Sequence, residues 1–145
     1  MKVYVLHYAY YEESEVRGVY TEDAMNKELA QYAEWGREHN NSTIAEYERK
    51  IETLTEQRKA LGQEDRKISE RQAQMEAEGV SNAKKQLKSE RKQLMKKMDE
   101  LAHSIKMLEW KIKDLSVLTD AQLAEREMER NHLYFEKFYV LGAEE

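Results

Sequence analysis

Apolar side chains recur at alternating steps of three and four residues through two consecutive stretches of the chain, residues 43–78 and 82–116. This spacing places them along one side of a helix and is typical of a coiled-coil seam. The chain contains no proline and only five glycines, so few residues would interrupt long helices. The seam residues are Ile44, Tyr47, Ile51, Leu54, Leu61, Ile68 and Met75 in the first stretch, and Leu87, Leu94, Met98, Leu101, Ile105, Leu108, Ile112 and Leu115 in the second.

A short turn separates the two stretches. Gly79 suits the left-handed position that ends a helix, and Ser81 suits the N-cap of the next helix. Because two arms of nearly equal length are joined by a short turn, the sequence predicts an antiparallel coiled-coil hairpin over residues 43–116. One continuous helix that dimerises through its seam is the alternative.

Polar residues interrupt the outer half of this seam, so we expect the inner half to be the rigid part. Such residues destabilise a coiled coil unless they are paired. An outer half that packs less well could be stabilised by a binding partner. Alternatively, Asp65 pairs with Arg91 or Lys92 across the hairpin and only sets the register. The interrupting residues are Arg58, Asp65, Gln72, Lys84 and Arg91.

Strand signals lie at both ends of the chain. Residues 1–11, 16–20 and 132–141 are rich in Val, Tyr and Phe and are predicted strands, with an acidic turn at residues 12–15. Thr21 is the predicted N-cap of a helix that ends near Gly36. A second helix is predicted to begin at Thr43, which forms a capping box with Glu46. A short third helix is predicted to begin at Thr119, in a capping box with Gln122, and to end at Arg130.

These signals predict an α+β, mostly helical fold. A small three-stranded antiparallel sheet with flanking helices forms a base from residues 1–42 and 117–145. The antiparallel coiled-coil hairpin, residues 43–116, is inserted between them as an arm.

Charge divides the chain in the same way. Residues 1–42 and 117–145 each carry a net charge of −4, whereas residues 43–116 carry +3. A basic cluster near the tip of the arm consists of Lys84, Lys85, Lys88, Arg91, Lys92, Lys96 and Lys97. It either pairs with acidic residues of the outgoing helix (Glu64, Asp65, Glu70, Glu76 and Glu78) or contacts an acidic protein or a phosphate backbone.

The sequence contains no recognisable catalytic motif. There is no cysteine, the four histidines are scattered, and no phosphate loop or nucleophile motif occurs. We therefore expect no enzyme activity, no cofactor and no metal site. No stretch fits a signal peptide or a membrane span, which favours the cytoplasm and no membrane partner. The aromatic row Tyr8, Tyr10 and Tyr11 is either part of the core or a contact face of the base.

The opening MKVYVLHYAYYEESEVRGVYTEDAM and the closing HLYFEKFYVL resemble small uncharacterised αβ domains of phages and Gram-positive bacteria. Those domains share a Tyr-rich strand, a short strand, a capped helix and a final strand. The resemblance implies a small viral accessory protein that binds and modulates, or inhibits, a host component in the host cytoplasm. The long hairpin departs from their compact pattern.

Three functions fit the sequence. The favoured one is a non-catalytic protein-binding protein that uses its helical arm, its base or both. The first alternative is nucleic-acid binding through the basic tip of the arm. The second is a homo-oligomeric structural protein whose edge strands or arms pair.

Overall fold

The computed structural model describes residues 1–140, and within them the fold is α+β and mostly helical, as predicted. Its elements are β1 (Lys2–Tyr10), β2 (Glu13–Tyr20), α1 (Glu22–Ala77), α2 (Ala83–Ser116), α3 (Asp120–Arg130) and β3 (Leu133–Tyr139). Leu141, which we predicted to end the last strand, lies outside the described residues. The chain divides into a base unit, Met1–Thr43 with Leu115–Glu145, and an arm unit, Ile44–Asp114.

The three strands form an antiparallel sheet in the order β2-β1-β3. The acidic turn predicted at residues 12–15 is wrong, because β2 already begins at Glu13, which pairs with Tyr10. Tyr11 adopts a positive φ of 54°, so the chain reverses within two residues. Strand β2 contains a bulge. Leu6 pairs with Gly18 but His7 pairs with Val16, so Arg17 is an extra residue of β2 with no partner in β1.

Helix α1 runs without a break through both the predicted helix end at Gly36 and the predicted helix start at Thr43, so these two predictions are wrong. Gly36 marks close packing instead, since a Cβ there would overlap the carbonyl oxygen of Leu123 in α3. The Thr43 hydroxyl does not cap a helix but donates back to the His39 carbonyl, at 3.0 Å.

The predicted caps at Thr21 and Thr119 are confirmed. The Thr21 hydroxyl accepts the Ala24 N–H at 3.2 Å, and Thr119 and Gln122 form the complete capping box of α3. Because these bonds join residues three apart, sequence alone suffices to predict them.

The end of α1 also has the predicted geometry. Gly79 has φ +77°; its N–H donates to Glu76 and the next N–H, from Val80, donates to Met75. These two bonds make a Schellman motif. The predicted N-cap at Ser81 is wrong, because α2 begins at Ala83 and the Asn82 carbonyl accepts the first helical bond.

The core of the base unit lies between one face of the sheet and the helices. Leu6 of the central strand is buried there against residues of α1 and α3. The buried members are Leu6, Tyr32, Ala33, Ala124 and Met128, with Tyr20, Leu29, Leu133 and Phe135 packed around them.

The arm unit has its buried cluster in the outer half, where we expected weaker packing. Ile68, Leu87 and Leu94 are buried, with Leu61 and Met75 against them, whereas the inner seam residues are half-buried. Two features account for this. Asp65 and Arg91 pair with each other, and the small Ala83, not Lys84, occupies the buried position near the turn.

Candidate functional site

The sheet of the base unit has a second face, turned away from the core, which we call the open sheet face. The strand register places Val3 beside Phe138, Val5 between Val19 and Glu136, and His7 between Val16 and Tyr134. Partners in an antiparallel register point to the same side of the sheet. The face therefore consists of Val3, Val5, His7, Val16, Val19, Tyr134, Glu136 and Phe138.

Most of this face is apolar and in contact with solvent. Val16 is 59% exposed, Val19 65% and Phe138 42%. Val3 and Val5 on the central strand are half-buried between them. Among residues 1–140, neither buried hydrophobic cluster contains a side chain of this face. The base unit thus leaves a contiguous apolar surface uncovered.

A pair of polar side chains, His7 and Glu136, interrupts the apolar surface. His7 Nε2 lies 3.1 Å from Glu136 Oε2, at ion-pair distance but without the angles of a hydrogen bond. The His7 ring also stacks on Tyr134, with the centroids 4.9 Å apart. These two side chains face each other, and the rest of the face is available for apolar contact.

A sequence signal for the open sheet face existed and was missed. On the central strand the residues facing the core, such as Leu6, alternate with Val3 and Val5, so both sides of the strand are apolar. A strand of this kind is typically covered on both faces. Within the described residues, α1 and α3 cover only the core-facing side of β1.

The three tyrosines that we expected either in the core or on a contact face lie outside the open sheet face. Tyr8 is half-buried on the core side, with the Arg17 guanidinium 4.8 Å from its ring centroid. The rings of Tyr10 and Tyr11 contact each other edge to face at the β1–β2 turn, where Tyr11 is 89% exposed. The hydrogen bond that the Tyr10 hydroxyl donates to the Tyr11 side chain favours the protonated phenol and raises the pKa of Tyr10.

The basic cluster of the arm divides into three parts. Arg91 turns toward α1 and donates to both carboxylate oxygens of Asp65, at 3.1 and 3.3 Å. Lys97 lines a groove between the arm helices that also contains Glu64 and Glu90. The other five are exposed on α2, and we call them the lysine stripe: Lys84, Lys85, Lys88, Lys92 and Lys96.

The acidic residues of the outgoing helix do not neutralise this stripe. Asp65 pairs with Arg91, and Glu76 and Glu78 accept hydrogen bonds from glutamines of their own helix. In residues 1–140, no carboxylate lies within ion-pair distance of a stripe lysine. The predicted internal pairing therefore holds for Arg91 and fails for the stripe.

Among residues 1–140, the base unit buries the Glu127 side chain, which the sequence did not indicate. The Glu127 carboxylate is bonded to His39 Nδ1 at 2.8 Å and to Arg130 Nη1 at 3.0 Å. This network joins α1 to α3 across 88 residues of sequence, a separation that no local pattern reveals. Among the described residues no group of three or more His, Asp or Glu side chains is arranged to hold a metal ion.

No protein-family model, curated protein or solved structure matches the chain. Within residues 1–140, none of the helices has the length and apolar character needed to cross a bilayer.

Proposed function

We propose that this chain is a non-catalytic protein-binding protein and that the open sheet face is its docking surface. The observation that carries the proposal is the central strand β1, which is apolar on both sides but is covered on one. A contiguous exposed apolar patch is unfavourable in water and commonly marks an interaction site. Burial of Val19 and Phe138 against a partner would remove that unfavourable exposure.

Charge favours a different protein over a second copy of this chain as the occupant. The base unit carries a net charge of −8. Two copies joined through the open sheet face would bring these charges together, and such like-charge juxtaposition opposes association. A partner with an apolar contact surface and a basic rim fits both properties of the base unit.

The size of the face limits how the partner binds. Three strands about 4.8 Å apart and about seven residues long cover roughly 300 Å² in projection. A stable interface buries about 800 Å² on each partner. The open sheet face is therefore the centre of the interface, and the partner also extends beyond the outer edges of strands β2 and β3.

The role as a viral accessory protein that modulates or inhibits a host component rests on the resemblance alone and stays a prediction. The expected lack of catalysis and the cytoplasmic location also stay predictions.

The proposal is tested by affinity capture from nuclease-treated lysate with two charge-introducing variants, Val19→Glu and Phe138→Glu. Both side chains are exposed, so each variant should fold normally, and each should lose the captured partner. Val117→Glu is the matched control, because Val117 is 71% exposed in the base unit but lies outside the sheet. Capture that survives in Val19→Glu and Phe138→Glu would contradict the proposal. Light scattering tests the alternative that a second copy of this chain binds the face. A dimer that is abolished by Val19→Glu would identify a second copy as the partner.

A further inference from the structure

We propose that the lysine stripe of α2 binds the phosphate backbone of double-stranded nucleic acid, independently of the open sheet face. The stripe differs from an ordinary solvated helix face in its spacing. Lys84, Lys88, Lys92 and Lys96 follow one another at four-residue steps, so they lie on one side of α2. At about 1.5 Å per residue they span roughly 18 Å, with Lys85 beside them.

This arrangement opposes folding of the arm. Like charges four residues apart on a helix repel each other. Lys84 and Lys85 also lie at the start of α2, where the helix dipole disfavours cations, and the first turn contains no acidic residue. Within the described residues no ion pair compensates either effect. An anionic ligand would relieve both.

The chemistry of the stripe favours phosphate over an acidic protein. Protein interfaces are poor in lysine and depend on aromatic and arginine anchors. Residues 84–97 contain no aromatic residue, and their one arginine, Arg91, is engaged by Asp65. Lysine without such anchors provides point charges, which suit a phosphate backbone of any sequence.

A membrane surface fits less well. A helix that binds a bilayer buries its apolar side among the lipids. The apolar side of this stretch, Leu87 and Leu94, is already buried inside the arm unit. Met95 is the one large apolar residue between positions 84 and 97 that stands exposed. The interaction is therefore electrostatic and requires a dense line of phosphates.

Salt dependence gives the expected magnitude. Five lysines that neutralise five phosphates predict a slope of about −4.5 for log Kobs against log salt on duplex DNA. Raising the salt from 50 to 150 mM should then weaken binding by about 100-fold.

The test is fluorescence anisotropy of the full chain with a labelled DNA or RNA duplex at several salt concentrations. In the stripe variant, Lys84, Lys88, Lys92 and Lys96 are all changed to Gln, which should remove most of the affinity and reduce the slope to about −1. The control variant changes Lys27, Lys59, Lys67 and Lys113 to Gln, which lowers the net charge equally with exposed lysines outside the stripe. It should keep the slope. The stripe variant should have an equal or higher Tm, which excludes unfolding as the cause.

Four outcomes would overturn the inference. They are no duplex binding at low salt, equal losses in the stripe and control variants, tighter binding to acidic peptides than to duplex, and tighter binding to anionic vesicles. Val19→Glu should bind duplex like the original chain, so failure of the sheet-face proposal and failure of this one are distinguishable.

Discussion

The substitution Gly36→Ala sets two effects of opposite sign against each other. Alanine is favoured over glycine in a helix interior by about 0.8–1.0 kcal/mol, and Gly36 lies in the interior of α1. However, a Cβ at this position would overlap the Leu123 carbonyl oxygen and lie 3.0 Å from its carbonyl carbon. Both are backbone atoms, which cannot rotate away as a flexible side chain could.

Relief of this overlap requires α3 to move away from α1 by roughly 1 Å. Helix α3 supplies Leu123, Ala124 and Met128 to the buried interior of the base unit, so the shift would loosen its core. Overpacking typically costs about 1–3 kcal/mol, and the loosened contacts add to this cost. After the propensity gain is subtracted, we expect Gly36→Ala to lower the free energy of unfolding of the base unit by about 1–2 kcal/mol.

The two tryptophans allow the base unit to be observed alone. Trp35 lies in the base unit, where its ring centroid is 5.3 Å from that of the buried Tyr32, and Trp110 lies in the arm unit. In a Trp110→Phe background, fluorescence during urea denaturation reports on the base unit. This separation matters because one midpoint for two units would not define a single free energy.

Gly62→Ala is the matched control in the same helix. Apart from the backbone of its own helix, the nearest atom to a Cβ at Gly62 is the terminal methyl of Met98, at 3.9 Å, so there is room for alanine. The arm unit should therefore gain up to about 1 kcal/mol, measured through Trp110 in a Trp35→Phe background. If Gly36→Ala stabilises the base unit to a similar extent, α1 and α3 do not meet at Gly36 and the packing argument is refuted.

Further substitutions probe the polar groups. Asp65→Ala and Arg91→Ala should each lower the free energy of unfolding by on the order of 1 kcal/mol, because each leaves the other partner half-buried and unpaired. Changing both residues to leucine should be neutral or stabilising. A double leucine variant that is less stable in urea than either single variant would show that the ion pair is a net stabiliser. Burial raises the pKa of Tyr32, so its protonated form contributes stability that is complete below about pH 10 and is lost as the pH rises through the raised pKa. Tyr32→Phe should flatten the loss of urea midpoint above about pH 10, and an unchanged slope would refute this.

Short-range features could be predicted from the sequence. The Thr119 capping box and the glycine motif at Gly79 depend on residues within five positions of each other. The helix end predicted from Gly36 is wrong, because this glycine is needed for close packing against the Leu123 backbone, which is far away in sequence. A glycine that permits close packing and a glycine that ends a helix look alike in one sequence.

The open sheet face shows why this candidate site was harder to predict than the fold. Val16 and Val19 are three residues apart, a spacing that puts side chains on opposite faces of a regular strand. The bulge at Arg17 brings both to the same face, opposite His7 and Val5. A bulge of this kind depends on the pairing with β1 and leaves no clear mark in β2.

The two proposed surfaces respond to salt in opposite ways, because they rely on different interactions. Contact with the lysine stripe releases counterions from the phosphates, so it weakens steeply as salt rises. Docking on the open sheet face gains mainly from apolar burial, which simple salts do not screen and sulfate strengthens. The basic rim expected on the partner adds a smaller, salt-sensitive contribution to the association rate. Capture of a protein partner that survives at high salt while duplex binding is lost would therefore assign the two activities to two separate surfaces of one chain.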